Sequence, residues 1–129
     1  NNAGTGHAGF CELNYTPQNE DGSVNVKKAF KIAEQFEVSK QLWAYMLKKQ
    51  YISNPKNFIN QIPHISAVFG EKDIDFLKKR YELLKNNPLF EGMIYSENKN
   101  ELKQWVPLMF EGRNENDLIA ATKIDIGVD

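Results

Sequence analysis

Residues 57–70 read NFINQIPHISAVFG, and this stretch predicts the sheet around which the fold is built. β-branched and aromatic residues recur along it in near-alternation and the run closes on Gly70, which is the pattern of a strand. Because proline cannot donate a hydrogen bond to a neighbouring strand, Pro63 predicts a bend or an interruption inside the run. A strand must bury at least one face, so the segments on either side should supply its cover.

Helical patterns lie on both sides of this strand. In residues 26–51 apolar side chains recur at three- and four-residue steps, which predicts a long helix that Ser23 or Asn25 can cap and that the Asn54-Pro55 break ends. Asp73 can cap a second helix, which the Asn-Asn-Pro run of residues 86–88 ends. Both helices carry an apolar stripe suited to packing on a sheet.

Shorter elements follow. FEGMIYSE (90–97) predicts a short strand, ENKNELKQWVPLM (97–109) a short helix stopped by Pro107, and LIAATKIDIG (118–127) a last strand. The first 23 residues predict a loop with a turn at Asp21-Gly22 and one extended piece over 10–15. The alternation predicts an α+β fold with a mixed or antiparallel sheet and covering helices, with residues 1–23 as a loop region and 24–129 as one compact unit.

Composition excludes several classes of protein. The 129 residues are 41% apolar, enough for one core, and 16 basic residues against 17 acidic ones do not indicate a nucleic-acid partner. One cysteine cannot form an intramolecular disulfide, and with two distant histidines it gives no recognisable metal-ligand spacing, so we expect no metal site. No apolar run approaches the ~20 residues that span a bilayer.

The first ten residues, NNAGTGHAGF, contain glycines at the spacing G-x-G-x-x-G. A dinucleotide loop of that form needs a strand before it and a helix after it, whereas the residues that follow include Asn14, Pro17 and Asn19 and do not predict a helix. The glycines nevertheless let a backbone approach a ligand closely, and Thr5 and His7 offer hydrogen bonds. The stretch therefore predicts a binding loop of another kind.

Longer stretches show a family resemblance. NNAGTGHAGFCELNYTP, FEVSKQLWAY, INQIPHISAVFGEKDIDFLKKRYELL, PLFEGMIYSE, QWVPLMFEGR and AATKIDIG, read in order, resemble the malate:quinone oxidoreductases, flavin-dependent enzymes that oxidise malate to oxaloacetate at the bacterial cytoplasmic membrane. The resemblance covers essentially the whole chain. Members of that family are several times longer, so we expect an internal fragment of a two-domain flavoprotein that lacks the strand, loop and helix holding the FAD pyrophosphate.

The resemblance implies a cofactor site and partners. It places residues 1–23 beside FAD and residues 24–129 in the substrate domain. The resemblance implies that the residues lining FAD are Asn2, Ala3, Gly4, Thr5, Gly6 and His7. Gly9 departs from the sequence pattern of the family. The resemblance also implies malate and a membrane quinone as partners. The implied location is cytoplasmic, peripheral on the inner face of the bacterial cell membrane, with the membrane contact made by parts of the protein outside this segment. By itself the chain is expected to bind FAD weakly or not at all.

Three polar residues are candidates for the substrate site. The resemblance gives His64 a possible catalytic role, and the alternative is a hydrogen-bonded structural histidine in an apolar strand. Arg113 can clamp a malate carboxylate through its planar fork, and the alternatives are a solvated arginine or a structural ion pair. Lys123 stands where the resemblance leads us to expect arginine, and lysine lacks the bidentate geometry.

Two other functions stay open at the level of sequence. One is a different FAD-dependent oxidoreductase that acts on a hydroxy or amino acid, because the opening loop also resembles those enzymes more loosely. The other is a binding module without chemistry, in which the loop holds a ligand or a partner.

Overall fold

In the part of the chain that the structure describes, three helices and three strands alternate, as the sequence predicts. The computed structural model describes residues 12–57, 59–114 and 116–128. The elements in those ranges are α1 (Lys27–Lys48), β1 (Gln61–Phe69), α2 (Glu71–Leu84), β2 (Ile94–Ser96), α3 (Lys99–Trp105) and β3 (Ile119–Val128).

The strands form one antiparallel sheet with the order β1-β3-β2, so β3 lies in the middle. Phe69 pairs with Ile119 at one end of the β1–β3 ladder, and the register shifts between Ile62 and His64, on either side of Pro63. The predicted bend or interruption at Pro63 is therefore confirmed as a register shift, and an irregularity of this kind is where proline is tolerated in a sheet. The α+β fold is confirmed as well, in its antiparallel form.

Side chains along each strand alternate between the two faces of the sheet, so both faces present apolar residues. Helices cover both faces. On the first face, Ile124 packs with Ala33 and Phe36 of α1, and Val68 packs with Leu77 of α2. We call this the α1/α2 face. On the second face, which we call the α3 face, the buried residues are Leu102, Ile119 and Ala121.

Some element boundaries differ from the prediction. Asp73 does not cap α2: the helix begins at Glu71, Gly70 occupies the N-cap position with φ 81°, and Asp73 lies in the first turn. α1 ends at Lys48, three residues before the predicted end. The extended piece predicted over 10–15 is wrong for residues 13–15, which form a 3-10 turn, and residues 10 and 11 lie outside the described ranges.

Two short segments share a sequence motif and a backbone shape. Pro88–Phe90 and Pro107–Phe110 are both 3-10 turns, and both run into Phe-Glu-Gly. In each, the glycine has a positive φ, 82° at Gly92 and 71° at Gly112. The amide of the next residue donates to the phenylalanine carbonyl, from Met93 at 3.1 Å and from Arg113 at 3.4 Å. These are type II turns, and the second one sets the position of Arg113.

Candidate functional site

The six residues that the resemblance assigns to FAD, Asn2 to His7, lie outside the described residues. The first described loop leads from Glu12 through a 3-10 turn at Leu13–Tyr15 to Thr16. Three cavities formed by described residues have volumes of about 300 to 350 Å³. That is the low end of the range for drug-sized ligands, so a dinucleotide would extend beyond any one of them.

A buried arginine anchors this loop to α2. Arg80 and Thr16 are both completely buried. The Arg80 Nε donates to the Thr16 Oγ1 at 3.0 Å, and the same hydroxyl donates to the Leu13 carbonyl at 2.9 Å. The pair was not predicted from the sequence. The available signal was an arginine that lies three residues after Leu77 and four before Leu84 on an apolar helix stripe.

His64 lies on β1, half-buried and directly opposite Ile124. Residues that are directly opposite each other in an antiparallel pair share a face of the sheet. Because Ile124 packs against α1, His64 lies on the α1/α2 face.

Arg113 lies on the opposite side of the sheet. Its guanidinium carbon stands 3.8 Å from the centre of the Phe69 ring. Phe69 packs with the cluster around Leu102 and Ile119, so it belongs to the α3 face. This is a cation–π contact, which restrains the arginine side chain over the ring.

The structure therefore does not bring His64 and Arg113 together. They lie on different faces, and Phe69 follows His64 at the fifth position along β1, roughly 16 Å along the strand. A four-carbon acid cannot contact both side chains in this arrangement.

A cavity of about 310 Å³ opens beside Arg113, between the end of β1, α3 and the second Phe-Glu-Gly turn. The residues lining it include three cationic side chains over an apolar floor. The cations are Lys99, Lys103 and Arg113, and the floor is formed by Phe69, Phe110 and Ile119.

Two other polar groups have structural partners. Lys123 forms an ion pair with Asp125, the Nζ and Oδ1 being 3.5 Å apart. Burial of Tyr95, and the 2.6 Å hydrogen bond that its hydroxyl donates to the Glu97 carboxylate, raise the pKa of Tyr95 far above its ordinary value. Tyr95 therefore stays protonated at neutral pH.

Within the described ranges, no three histidine, cysteine, aspartate or glutamate side chains form a group that could hold a metal ion. In the same ranges, none of the helices combines the length and the apolar character needed to cross a membrane.

Comparison with known proteins identifies relatives over the whole chain. The family model described as malate:quinone oxidoreductase matches residues 1–129. The chain is 59% identical over 129 residues to a probable malate:quinone oxidoreductase of Geobacillus sp. (strain WCH70), and 57% identical to one of Wigglesworthia glossinidia brevipalpis, covering 25% of each relative. A relative of the same name from Exiguobacterium sp. is 54% identical, with 26% covered. All of this chain takes part in each match, and it spans about a quarter of the length of these curated relatives.

Proposed function

This chain belongs to the malate:quinone oxidoreductase family, and from that premise we propose that it is one part of an enzyme that oxidises (S)-malate to oxaloacetate and passes the electrons through FAD to a membrane quinone. The observation that carries the proposal is the match along all 129 residues to relatives of that name, at 54 to 59% identity. Because the chain spans a quarter of those relatives, the complete reaction needs residues that this segment does not contain.

FAD is the proposed cofactor, and the proposed lining is Asn2, Ala3, Gly4, Thr5, Gly6 and His7. When bound, FAD supplies the acceptor for the hydride that leaves the hydroxyl-bearing carbon of malate. The loop's own contribution is positional: glycines allow a close backbone approach, and amides together with the Thr5 hydroxyl donate hydrogen bonds. The buried Arg80–Thr16 contact supports this role, since it fixes the chain nine residues after His7 to the rigid α2.

Substrate binding is proposed for Arg113, because its guanidinium, held over the Phe69 ring, offers the planar fork that a carboxylate prefers. A proton acceptor is also required as the hydride leaves malate, and His64 remains a prediction for it. The two proposals cannot describe one malate site within this segment, because the side chains lie on opposite faces of the sheet.

Quinone reduction places the enzyme at a membrane. We propose that the enzyme lies peripherally on the inner face of the bacterial cell membrane. Parts of the longer protein outside these residues make the contact with the membrane.

A hybrid enzyme tests the proposal directly. These 129 residues replace the matching quarter of the Geobacillus relative, and the purified hybrid is assayed for reduction of a soluble quinone analogue with malate, lactate, glycerol phosphate and amino acids. We expect malate to be the preferred donor. A folded, flavin-loaded hybrid that prefers lactate or an amino acid would favour the second candidate, a different flavin oxidoreductase. A folded hybrid that holds no flavin would favour a binding module.

The loop assignment has its own test in the same hybrid. Gly4→Val should reduce the flavin content, because a branched side chain intrudes where the backbone approaches the cofactor. Gly9→Val is the matched control, since Gly9 departs from the family pattern and should tolerate the change. Equal flavin content in both variants and in the parent would show that residues 2–7 do not line FAD.

A further inference from the structure

We propose that FAD meets this segment on the α1/α2 face, the face of His64, and that Arg80 is the positioning residue that holds the flavin loop (residues 2–7) there. Both statements rest on the proposed function, in which residues 2–7 line FAD. They go further by naming the side of the sheet on which the cofactor lies and the side chain that fixes the loop to that side.

The chain that follows the flavin loop lies on the α1/α2 face. Leu13 packs against Val68 of β1 and Leu77 of α2. Tyr15 packs against the neighbouring cluster, to which Ile124 of β3 belongs. Residues 13–15 are therefore fixed on one side of the sheet by contacts with two strands and a helix.

Covalent geometry keeps the flavin loop close to these contacts. His7 precedes Leu13 by six residues, and a fully extended chain of six residues spans at most roughly 22 Å. The shortest route from Leu13 to a bound cofactor stays on the α1/α2 face, because a chain that reaches the α3 face must first pass around an edge of the sheet. The position of Leu13 therefore favours a cofactor on the α1/α2 side.

Arg80 fixes this part of the chain through a buried hydrogen bond. Its Nε donates to the Thr16 Oγ1 at 3.0 Å, and both side chains are completely buried. The Thr16 hydroxyl donates in turn to the Leu13 carbonyl at 2.9 Å, so a single side chain closes the 3-10 turn and ties it to α2. The Lys79 Nζ lies 3.5 Å from the Gly22 carbonyl oxygen. Two successive residues of α2 thus hold the chain at two points, and the buried one is shielded from competing water.

A row of polar side chains crosses the same face beside His64. Ser66 is directly opposite Thr122 in the β1–β3 ladder, and Thr122 is directly opposite Tyr95 of β2. Directly opposite residues share a face of the sheet, and Ser66 is two positions after His64 on β1, which places both on one side. Of the two candidates for the substrate site, His64 is therefore the one on the side where we place the cofactor.

Thr16→Val in the hybrid enzyme tests the role of Arg80, because it removes the hydroxyl that accepts from Arg80 and keeps the shape of the side chain. The dissociation constant for FAD, measured by titrating the flavin-free hybrid, should rise about tenfold or more, since a loop that is no longer held must be ordered when FAD binds. Thr16→Ser keeps the hydroxyl and should retain the affinity of the parent.

Leu102→Ala is the matched control, since it truncates a completely buried side chain on the α3 face. We expect it to lower the stability of the hybrid at least as much as Thr16→Val does, yet to leave the dissociation constant for FAD unchanged. Equal FAD affinity in Thr16→Val and the parent would overturn the role of Arg80. An equal loss of affinity in Thr16→Val and Leu102→Ala would overturn it as well, because it would trace the effect to stability alone. In both cases the parent hybrid still oxidises malate, so these failures are distinct from failure of the proposed function.

Amide hydrogen exchange of the hybrid, measured at short times with and without FAD, tests the face independently. We expect FAD to slow exchange in residues 12–25 and to leave residues 97–113, which include α3 and the second Phe-Glu-Gly turn, unchanged. Unchanged exchange in residues 12–25, or equal slowing in both ranges, would overturn the placement of FAD on the α1/α2 face.

Discussion

Arg80 is the largest of the completely buried side chains in the described ranges, and a local reading of the sequence could not have found its partner. The predicted apolar stripe of α2 runs through Leu77 and Leu84, and Arg80 lies between them on the same side. Burying a guanidinium is costly unless it is hydrogen-bonded, and the acceptor that it uses, Thr16, is 64 residues away. Long-range polar pairs of this kind leave no periodic signal in the sequence.

Thr16→Val tests the value of this contact. The substitution keeps the shape of the side chain and removes only the hydroxyl that accepts from Arg80, so the free energy of unfolding should fall by about 1–3 kcal/mol. Urea unfolding of the 129-residue chain measures the change. Ser39→Ala is the matched control, because the Ser39 hydroxyl donates only to the Gln35 carbonyl one turn earlier, and we expect a change within about 0.5 kcal/mol. An equal effect of both substitutions would contradict the anchoring role of Arg80.

Asp21 provides a pH-dependent contact in the turn that the sequence predicts at Asp21-Gly22. The Ser23 hydroxyl and amide donate to the Asp21 carboxylate at 2.6 and 2.9 Å and lower the pKa of Asp21 below its ordinary value of 3.8. A carboxyl whose pKa is lower in the folded chain stabilises the turn above the unfolded pKa, and that contribution is lost as pH falls through the folded pKa. In an NMR titration the Asp21 midpoint should lie below 3.8 and move upward in Ser23→Ala. An unchanged midpoint in that variant would show that the hydroxyl has no such effect.

At the scale of elements, the two Phe-Glu-Gly turns show what a glycine contributes. Nothing lies within 4 Å of a Cβ added at Gly112, so a side chain there meets no steric obstacle. The constraint is the backbone, because φ 71° is disfavoured for residues other than glycine.

Gly112→Ala should therefore lower the free energy of unfolding by about 1–2 kcal/mol, the strain of a non-glycine residue in the left-handed region. Gly112→Asn should cost less, because asparagine tolerates that region. Denaturant unfolding of both variants measures the difference. Identical stabilities of the alanine and asparagine variants would contradict the assignment of the strain to φ.

Elements with local signals were predicted well. The bend at Pro63 and the stop of α3 before Pro107 follow from what proline does to hydrogen bonding, and both are confirmed. The predicted start of α2 was wrong because Gly70 occupies the N-cap position, three residues before Asp73, which was expected to cap the helix. The pairing of β1 with β3, whose partner residues are 50 or more positions apart in the chain, could not be read from either strand alone.

α1 illustrates a pattern that the structure satisfies only in part. Its predicted apolar stripe runs the length of the helix, yet from Val38 onward no side chain of α1 is completely buried. Val38, Leu42 and Tyr45 are more than half exposed, at 63, 55 and 52%. Periodicity identifies a face that favours burial, but it does not say whether the described part of the chain provides the cover.

For the whole molecule, the sheet divides the candidate residues between two surfaces. His64 and Arg113 were both plausible from sequence, and nothing in their sequence neighbourhoods indicated that they lie on opposite faces. The face of His64 depends on the register of β1 with β3, and the position of Arg113 depends on a turn outside the sheet. The cationic cavity was missed for the same reason, since α3, β1 and the turn meet only in the folded chain.

The isolated chain should bind FAD weakly or not at all, and it should not oxidise malate. The cavities of about 300–350 Å³ that we describe are too small to enclose the cofactor alone, and the chain spans only a quarter of its relatives. Flavin absorbance of the purified chain after incubation with FAD, followed by gel filtration, measures binding. Retained flavin at one equivalent, or reduction of a dye that depends on malate, would contradict the expectation that the rest of the protein is needed.

Anaerobic mixing of malate with the flavin-loaded hybrid enzyme tests the central claim most directly, because it isolates electron transfer from malate to the cofactor and needs no quinone. We predict that the oxidised flavin band bleaches on addition of malate, at a rate comparable to that of the Geobacillus parent, and that adding a quinone analogue restores it. A folded hybrid that holds its flavin and shows no bleaching with malate, while the parent bleaches, would contradict the claim.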